Sequence, residues 1–387
     1  MKIAIIGAGS VGSALTHVLM EQEAINTLII LDRNGNALDE LKQEMAGHPS
    51  ISKMRTFKVG MEEYASILTL IKDMDVMISA LPYKYNLELA RIAANNECHF
   101  LDLGGNDQVF EKQLELDDLA ARNRTYIVPN CGLAPGLLNI IAYNGYKQFD
   151  SVSTLEIMSG GLPLNPKPPL NHHLSFSAVG FLEEHLPPVL AVRDGKPVNV
   201  EPLSGLEPVS FTSHPELKGL EKFHTGGHIT SIAKTLAGSV DNISYKTIRH
   251  RGNHDIMEAL IKLGFAEKRI IDIGTSMTYR DLLIRKFRSQ LPENLPDIVL
   301  AKVRLIGKID GKSQTHRYEL VYEYNPDDGH SAIMTCTAVP TAMIAMSVLN
   351  GEVSGSPGVK APEEVIDAEP FLKNLEEWGI NIKKSIE

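Results

Sequence analysis

The sequence predicts an α/β protein, a doubly wound parallel sheet followed by a second α+β domain containing an antiparallel sheet. Three observations carry that expectation. Through residues 1–130 short β-branched runs alternate with helical stretches, as successive βα crossovers require. Several of those runs are apolar without alternation, such as Ile3-Ala4-Ile5-Ile6 and Leu28-Ile29-Ile30-Leu31, which suits strands covered on both faces. Beyond Asn130 the pattern gives way to Pro- and Gly-rich loops and long strand-like runs.

Taken in order, strands are expected at residues 2–6, 27–31, 55–59, 75–79, 99–103 and 125–128. Helical segments fall at 11–21, 38–44, 62–71, 87–94 and 111–122. The second domain, 131–337, opens with a strand at 153–158 and a loop holding Pro163, Pro166, Pro168 and Pro169. It closes with an antiparallel meander: 299–309 leads through Asp310-Gly311, a strong hairpin signal, to 315–324. That run turns at 325–329 into a third strand at 331–337. A small-residue helix at 341–349 starts a C-terminal segment, 338–387, expected to pack back on the first domain.

Of the 387 residues 43% are hydrophobic and 22% charged, ordinary globular composition with apolar mass for two cores. The 38 basic against 48 acidic residues leave a net charge of −10. With no run of five or six like charges, nucleic acid and anionic membranes are not expected partners. No apolar run reads as long enough, ~18 residues, to span a bilayer. Ile3 to Ile6 is too short for a signal-peptide core. Cys98, Cys131 and Cys336 form no CxxC pair, so a reduced, cytoplasmic setting is expected.

The first strand runs into Gly7-Ala8-Gly9-Ser10-Val11-Gly12, a G-x-G-x-x-G at the start of a helix. Gly7 permits the tight turn, Gly9 lets a pyrophosphate approach the backbone, and Gly12 lets helix and strand lie close. The helix N-terminus, at Ser10 and Val11, offers N–H groups to the phosphates. Asp32 closes the second strand 20 residues after Gly12, where a carboxylate accepts the adenosine ribose hydroxyls. The domain therefore reads as a Rossmann-type dinucleotide-binding domain. Asp32 would repel a 2′-phosphate, favouring NAD over NADP; the neighbouring Arg33 could instead recruit that phosphate. Ala80, Leu81, Pro82 and Tyr83 follow the fourth strand and should border the cofactor, as should the loops beginning at Asp102 and Pro129.

Further motifs resemble those of the saccharopine dehydrogenase-like family, most nearly its lysine 6-dehydrogenase branch. They are Pro129-Asn130-Cys131-Gly132-Leu133-Ala134-Pro135-Gly136, Gly160-Gly161-Leu162-Pro163 running on to Phe176-Ser177, Arg193-Asp194-Gly195-Lys196 and Leu203-Ser204 with Glu207. Phe223-His224-Thr225-Gly226-Gly227, Tyr245-Lys246-Thr247-Ile248-Arg249 and Gly358-Val359-Lys360-Ala361-Pro362-Glu363 complete the set. The resemblance implies NAD-dependent oxidative deamination of the ε-amine of L-lysine, giving a semialdehyde that cyclises to a piperideine carboxylate. It also implies a small-molecule amino-acid substrate and a homodimer or higher homo-oligomer. One departure stands at His250-Arg251-Gly252-Asn253-His254, where the family pattern has Tyr-Pro-Gly-His; the extra cation could accept a second carboxylate. Two alternatives remain open: a saccharopine-type or carboxy-polyamine-type enzyme acting on a secondary amine, and a non-catalytic NAD sensor.

A lysine amine titrates near 10.4, so something must remove its proton at neutral pH. Asp102 and His224 are the candidates. Arg249 is the candidate fork for the substrate carboxylate, with Tyr83 and Thr225 as further substrate contacts and an interdomain salt bridge as the bland reading of Arg249. No metal is expected: His224 and His228 are spaced i, i+4, but Gly226-Gly227 opposes the helix that would align them. Asp32→Ala is expected to relax the preference for NAD over NADP, measured as the ratio of kcat/KM values; an unmoved ratio would place the ribose elsewhere.

Overall fold

The apolar runs of the N-terminal region form one parallel sheet in the computed structural model, which describes residues 1–175, 177–272, 274, 276–292 and 296–387. Its strands are β1 (Lys2–Ile6), β2 (Thr27–Asp32), β3 (Met54–Lys58), β4 (Val76–Ser79), β5 (His99–Asp102) and β6 (Tyr126–Val128). Then come β7 (Ser151–Pro163), β8 (Val189–Arg193), β9 (Lys196–Val200), β10 (Glu207–Pro208), β11 (Leu220–Phe223), β12 (Val240–His250), β13 (Asp297–Ile309) and β14 (Lys312–Glu323). Two short strands close the chain, β15 (Gly358–Val359) and β16 (Ile382–Ile386). Phe176, which belongs to a family motif, lies outside the described residues.

The chain divides into two units. The first comprises Met1–Asn144, Thr230–Thr235 and Met334–Ile380; the second comprises Gly145–Ile229, Leu236–Ile333 and Asn381–Glu387. In the first unit the strand order is β15-β6-β5-β4-β1-β2-β3. The order reverses between β1 and β4, and ligands of such sheets bind at the carboxyl ends of the strands beside that switch point. Ile3, Ala4 and Ile5 have no exposed surface, so both faces of β1 are covered, which is why the run does not alternate.

The second unit holds a mixed sheet in the order β10-β11-β12-β7-β13-β14-β16, with the β8–β9 hairpin against β12. β7 and β12 run parallel; β13 pairs antiparallel with both β7 and β14. The third strand of the expected meander is not at 331–337. Those residues enter a helix, Ala332–Asn350. Asp297, at the start of β13, caps this helix from a distance in sequence: its carboxylate accepts the N–H groups of Ala332 at 2.6 Å and Ile333 at 3.1 Å, satisfying donors that a helix leaves open at its first turn. The place beside β14 is taken by β16, with Leu320 opposite Ile382. The same helix corrects the reading of apolar runs. Its 19 residues, at a mean hydropathy of 1.8, are long and apolar enough to cross a membrane, and 78% of its 18-residue window is buried inside the protein.

Removing the Asp297 cap by Asp297→Ala should cost about 1–2 kcal/mol, a fall of roughly 2–4 °C in Tm by calorimetry. An unchanged Tm would mean that the helix start is held by other groups.

Candidate active site

In the first unit the glycine turn is pinned from both sides. Gly7 N–H donates to Leu31 O at 2.7 Å, and Ala80 N–H to Ile6 O at 2.8 Å. Gly7 has φ +112°, and a Cβ there would come within 3.0 Å of Ala80 O and 3.1 Å of Leu81. A Cβ on Gly12 would strike the Gly7 carbonyl, whereas one on Gly9 would meet nothing within 4 Å. The open space therefore lies over Gly9, at the start of helix Ser10–Met20, whose N-terminus carries no side-chain cap. Free N–H groups beside open space fit a dinucleotide pyrophosphate.

Asp32 stands half-buried at the end of β2. Its Oδ2 accepts Ala8 N–H and its Oδ1 accepts Asn34 N–H, both at 2.7 Å, so the carboxylate also orders the turn it serves. Arg33 is exposed, and the Lys58 side chain lies against Gly35, so two cations flank this carboxylate. After β4, Ala80, Leu81 and Tyr83 are half-buried and Pro82 exposed, in a loop closed by Ser79 Oγ donating to Asn86 Oδ1 at 2.8 Å.

Asp102 is not placed to take a proton from an amine. It is fully buried, and its oxygens accept Gly104 N–H at 2.7 Å, Asn130 N–H at 3.2 Å and Gln113 Nε2 at 2.6 Å. Burial raises its pKa, with these three bonds opposing. Its carboxylate ties the loop after β5 to Asn130, which takes φ 66°. Cys131 is buried, its thiol donates to Val128 O at 3.0 Å, and burial raises its pKa well above the ordinary thiol range. It lines the loop.

In the second unit, side chains alternate along β12. Tyr245, Thr247 and Arg249 share one face; Lys246 lies on the other. Phe223 of β11 is in register with Thr247, so the following residue, His224, falls beside Lys246. There it sits under Gly205, whose added Cβ would be 3.1 Å from His224 Nε2. His224 Nδ1 lies 2.9 Å from the Tyr245 carbonyl, so it carries the proton and donates. Burial lowers the His224 pKa. The sheet thus separates His224 from Arg249, and the two residues are not brought together. Lys246 belongs to a charged cluster, at 3.0 Å from Glu207, with Lys222 at 2.6 Å from Glu156.

On its own face Arg249 is 4% exposed. Nη1 donates to Ile248 O at 3.0 Å and Nη2 to Glu184 Oε1 at 2.6 Å; Nε is buried without an acceptor among the described residues. The salt bridge lies wholly within the second unit. Three buried histidines sit near the guanidinium. The His172 ring stacks on Phe181 at 4.6 Å, and His185 Nδ1 donates to Phe181 O at 2.8 Å. His173 Nε2 is 3.1 Å from Ser175 Oγ. Burial, and then the Arg249 charge, push His172 well below the ordinary imidazole range and His173 down to about 4; burial also lowers His185. Tyr245 OH bonds Ser159 Oγ at 2.8 Å, and the His228 ring stacks on Tyr245 at 4.0 Å. Thr225 is buried in the loop between His224 and His228, its Oγ1 without a partner among the described residues. Sequence reasoning missed Glu184, Tyr245 and Ser159. The period-2 register of β12 could have singled out Tyr245, but nothing local marks Glu184, which arrives from helix Ala178–Glu183 as its C-cap.

Comparison with known proteins matches residues 3–128 to the saccharopine dehydrogenase NADP binding domain and residues 132–380 to the saccharopine dehydrogenase C-terminal domain. The chain is 21% identical to the mitochondrial alpha-aminoadipic semialdehyde synthase of Rattus norvegicus, covering 98% of this chain and 47% of that protein, so it spans about half that relative's length. It is 23% identical to the carboxyaminopropylagmatine dehydrogenase of Synechocystis, covering 98% and 96% of the two chains. It is 18% identical to the saccharopine dehydrogenase [NADP(+), L-glutamate-forming] of Schizosaccharomyces pombe, covering 100% and 99%. Among solved structures, the apo saccharopine dehydrogenase (L-Glu forming) of Saccharomyces cerevisiae superposes with a TM-score of 0.77 at 17% identity, covering 100% of this chain and 99% of that one. That similarity shows the fold.

Three histidines held neutral in the fold but free to protonate when unfolded set a pH dependence. The unfolded chain takes up their protons first, so stability should fall as pH drops from about 6.5 toward 4, by up to ~1.4 kcal/mol per pH unit for each group. Thermal melts between pH 7.5 and 4.5 test this, and His173→Gln should flatten the slope. An identical slope in the variant would assign the acid sensitivity to other groups.

Proposed function

The chain belongs to the saccharopine dehydrogenase family, and from that premise we propose that it is an NAD-dependent dehydrogenase acting on the side-chain amine of L-lysine. The product imine takes up water and releases ammonia, and the resulting semialdehyde closes on its own α-amine. The observation that carries this reading is Arg249, a buried guanidinium with an N–H donor left over. Arg251, the other cation considered for a second carboxylate, is exposed in the turn after β12. One buried fork suits a substrate with one carboxylate.

Bound nicotinamide supplies the hydride acceptor. The open space at Gly9 and the uncapped helix start support its binding. The Asp32 carboxylate supports NAD, whereas Arg33 and Lys58 are the groups that would favour a 2′-phosphate. The amine must shed a proton before its carbon can give up hydride, because a cationic nitrogen opposes the developing iminium charge. We assign that proton to His228, half-buried on Tyr245 and on Arg249's face of β12, in place of Asp102, which is closed, and His224, which lies on the other face. The second reading, oxidation of a secondary amine, draws on the relatives named above and on those two flanking cations.

Purified protein with NAD or NADP and a panel of lysine, ornithine and saccharopine, followed by absorbance of the reduced cofactor, tests the reading. Turnover of lysine with NAD supports it; turnover of saccharopine alone replaces it with the second. Loss of charged hydrogen bonds in Arg249→Ala should raise KM roughly tenfold to hundredfold, with cofactor binding unchanged. His228→Asn should remove the acid limb of the kcat–pH profile, whereas His224→Asn should leave that limb in place.

A further inference from the structure

Resting on the reading just given, we infer that Glu184 is a specificity residue: Arg249 takes the carboxylate of an α-amino acid and Glu184 takes the ammonium on the adjacent carbon. A guanidinium has five N–H donors in a rigid fork. Here Nη1 is committed to Ile248 O, Nη2 already meets Glu184, and Nε–H is buried without an acceptor among the described residues. A ligand carboxylate forking onto Nε and Nη2 would arrive on the edge that carries Glu184. Two carboxylates on one buried guanidinium leave a negative charge uncompensated, which burial penalises heavily.

Among the described residues no fixed cation on this face supplies the missing positive charge. Burial lowers His172, His173 and His185; His185 Nδ1 stands 3.6 Å from Glu184, which opposes that lowering, but its proton is given to Phe181 O. Lys246 lies across the sheet against Glu207 and Gly205 O. Glu221, opposite Arg249 in the β11–β12 register, is engaged by the N–H groups of Gly252 at 3.1 Å and His254 at 2.8 Å, so Glu184 is the carboxylate available to a ligand cation. Glu184 is also the more open partner, its side chain 13% exposed against 5% for Arg249. A ligand is accommodated without net charge if it brings its own cation beside its carboxylate, as an α-amino-acid zwitterion does.

The test uses ligands that lack an oxidisable side-chain amine, so it does not depend on turnover. Calorimetric titration of the full chain, at saturating NAD and again at saturating NADP, would compare L-norleucine, hexanoate and L-norleucinamide. Norleucine should bind at least tenfold more tightly than the other two. Glu184→Gln should erase the difference between norleucine and hexanoate, Glu184→Asp should restore it, and Arg249→Gln should abolish binding of both. Equal binding of norleucine and hexanoate by the unmodified protein overturns the inference, as does failure of all three to bind. The unmodified protein's preference decides the matter even if Glu184→Gln does not fold. Norleucine preference without lysine turnover would sink the proposed reaction and leave this inference standing; lysine turnover without norleucine preference would do the reverse.

Discussion

The second unit is organised around one buried guanidinium. A cation removed from water is tolerable only when paired and hydrogen-bonded, and Arg249 meets that condition through Glu184 and the Ile248 carbonyl. Its presence then dictates the state of what packs nearby. Three imidazoles are disfavoured as cations by burial; the fixed positive charge adds to this for His172 and His173, while Glu184 opposes it for His185. On this face of β12 the Arg249–Glu184 pair is flanked by neutral imidazoles, while the Lys222, Lys246 and Glu156 cluster lies on the other.

The first unit works by backbone rather than by side-chain charge. The glycine turn, the helix start beyond it and the Asp32 carboxylate are linked by short bonds, so the cofactor-facing N–H groups are set before any ligand arrives. Asp102 does similar work at the end of β5. Its carboxylate is consumed in holding the following loop against Asn130, a positioning role that its site at a strand's carboxyl end does not distinguish from a chemical one.

Much of the fold was legible because its signals are local. Continuous apolar runs, the glycine spacing and the Asp310-Gly311 hairpin each depend on a few neighbouring residues, and β13 and β14 pair across that turn. The strand expected at 331–337 failed for the opposite reason: its β-like composition is overruled by Asp297, more than thirty residues earlier, which supplies a helix cap. The place it would have filled goes to β16, at the far end of the chain.

By itself the sequence determined the parallel sheet, the dinucleotide turn and Arg249 as the candidate carboxylate fork, since period, spacing and residue type are properties of short segments. Tertiary structure alone decided which candidates share a face. His224 and Arg249 are separated by the thickness of a sheet because of the register between β11 and β12. Glu184 meets Arg249 across 65 positions of chain only because the fold brings a helix end to a strand end. Register and long-range pairing follow from the packing of the whole core, and no local pattern encodes them.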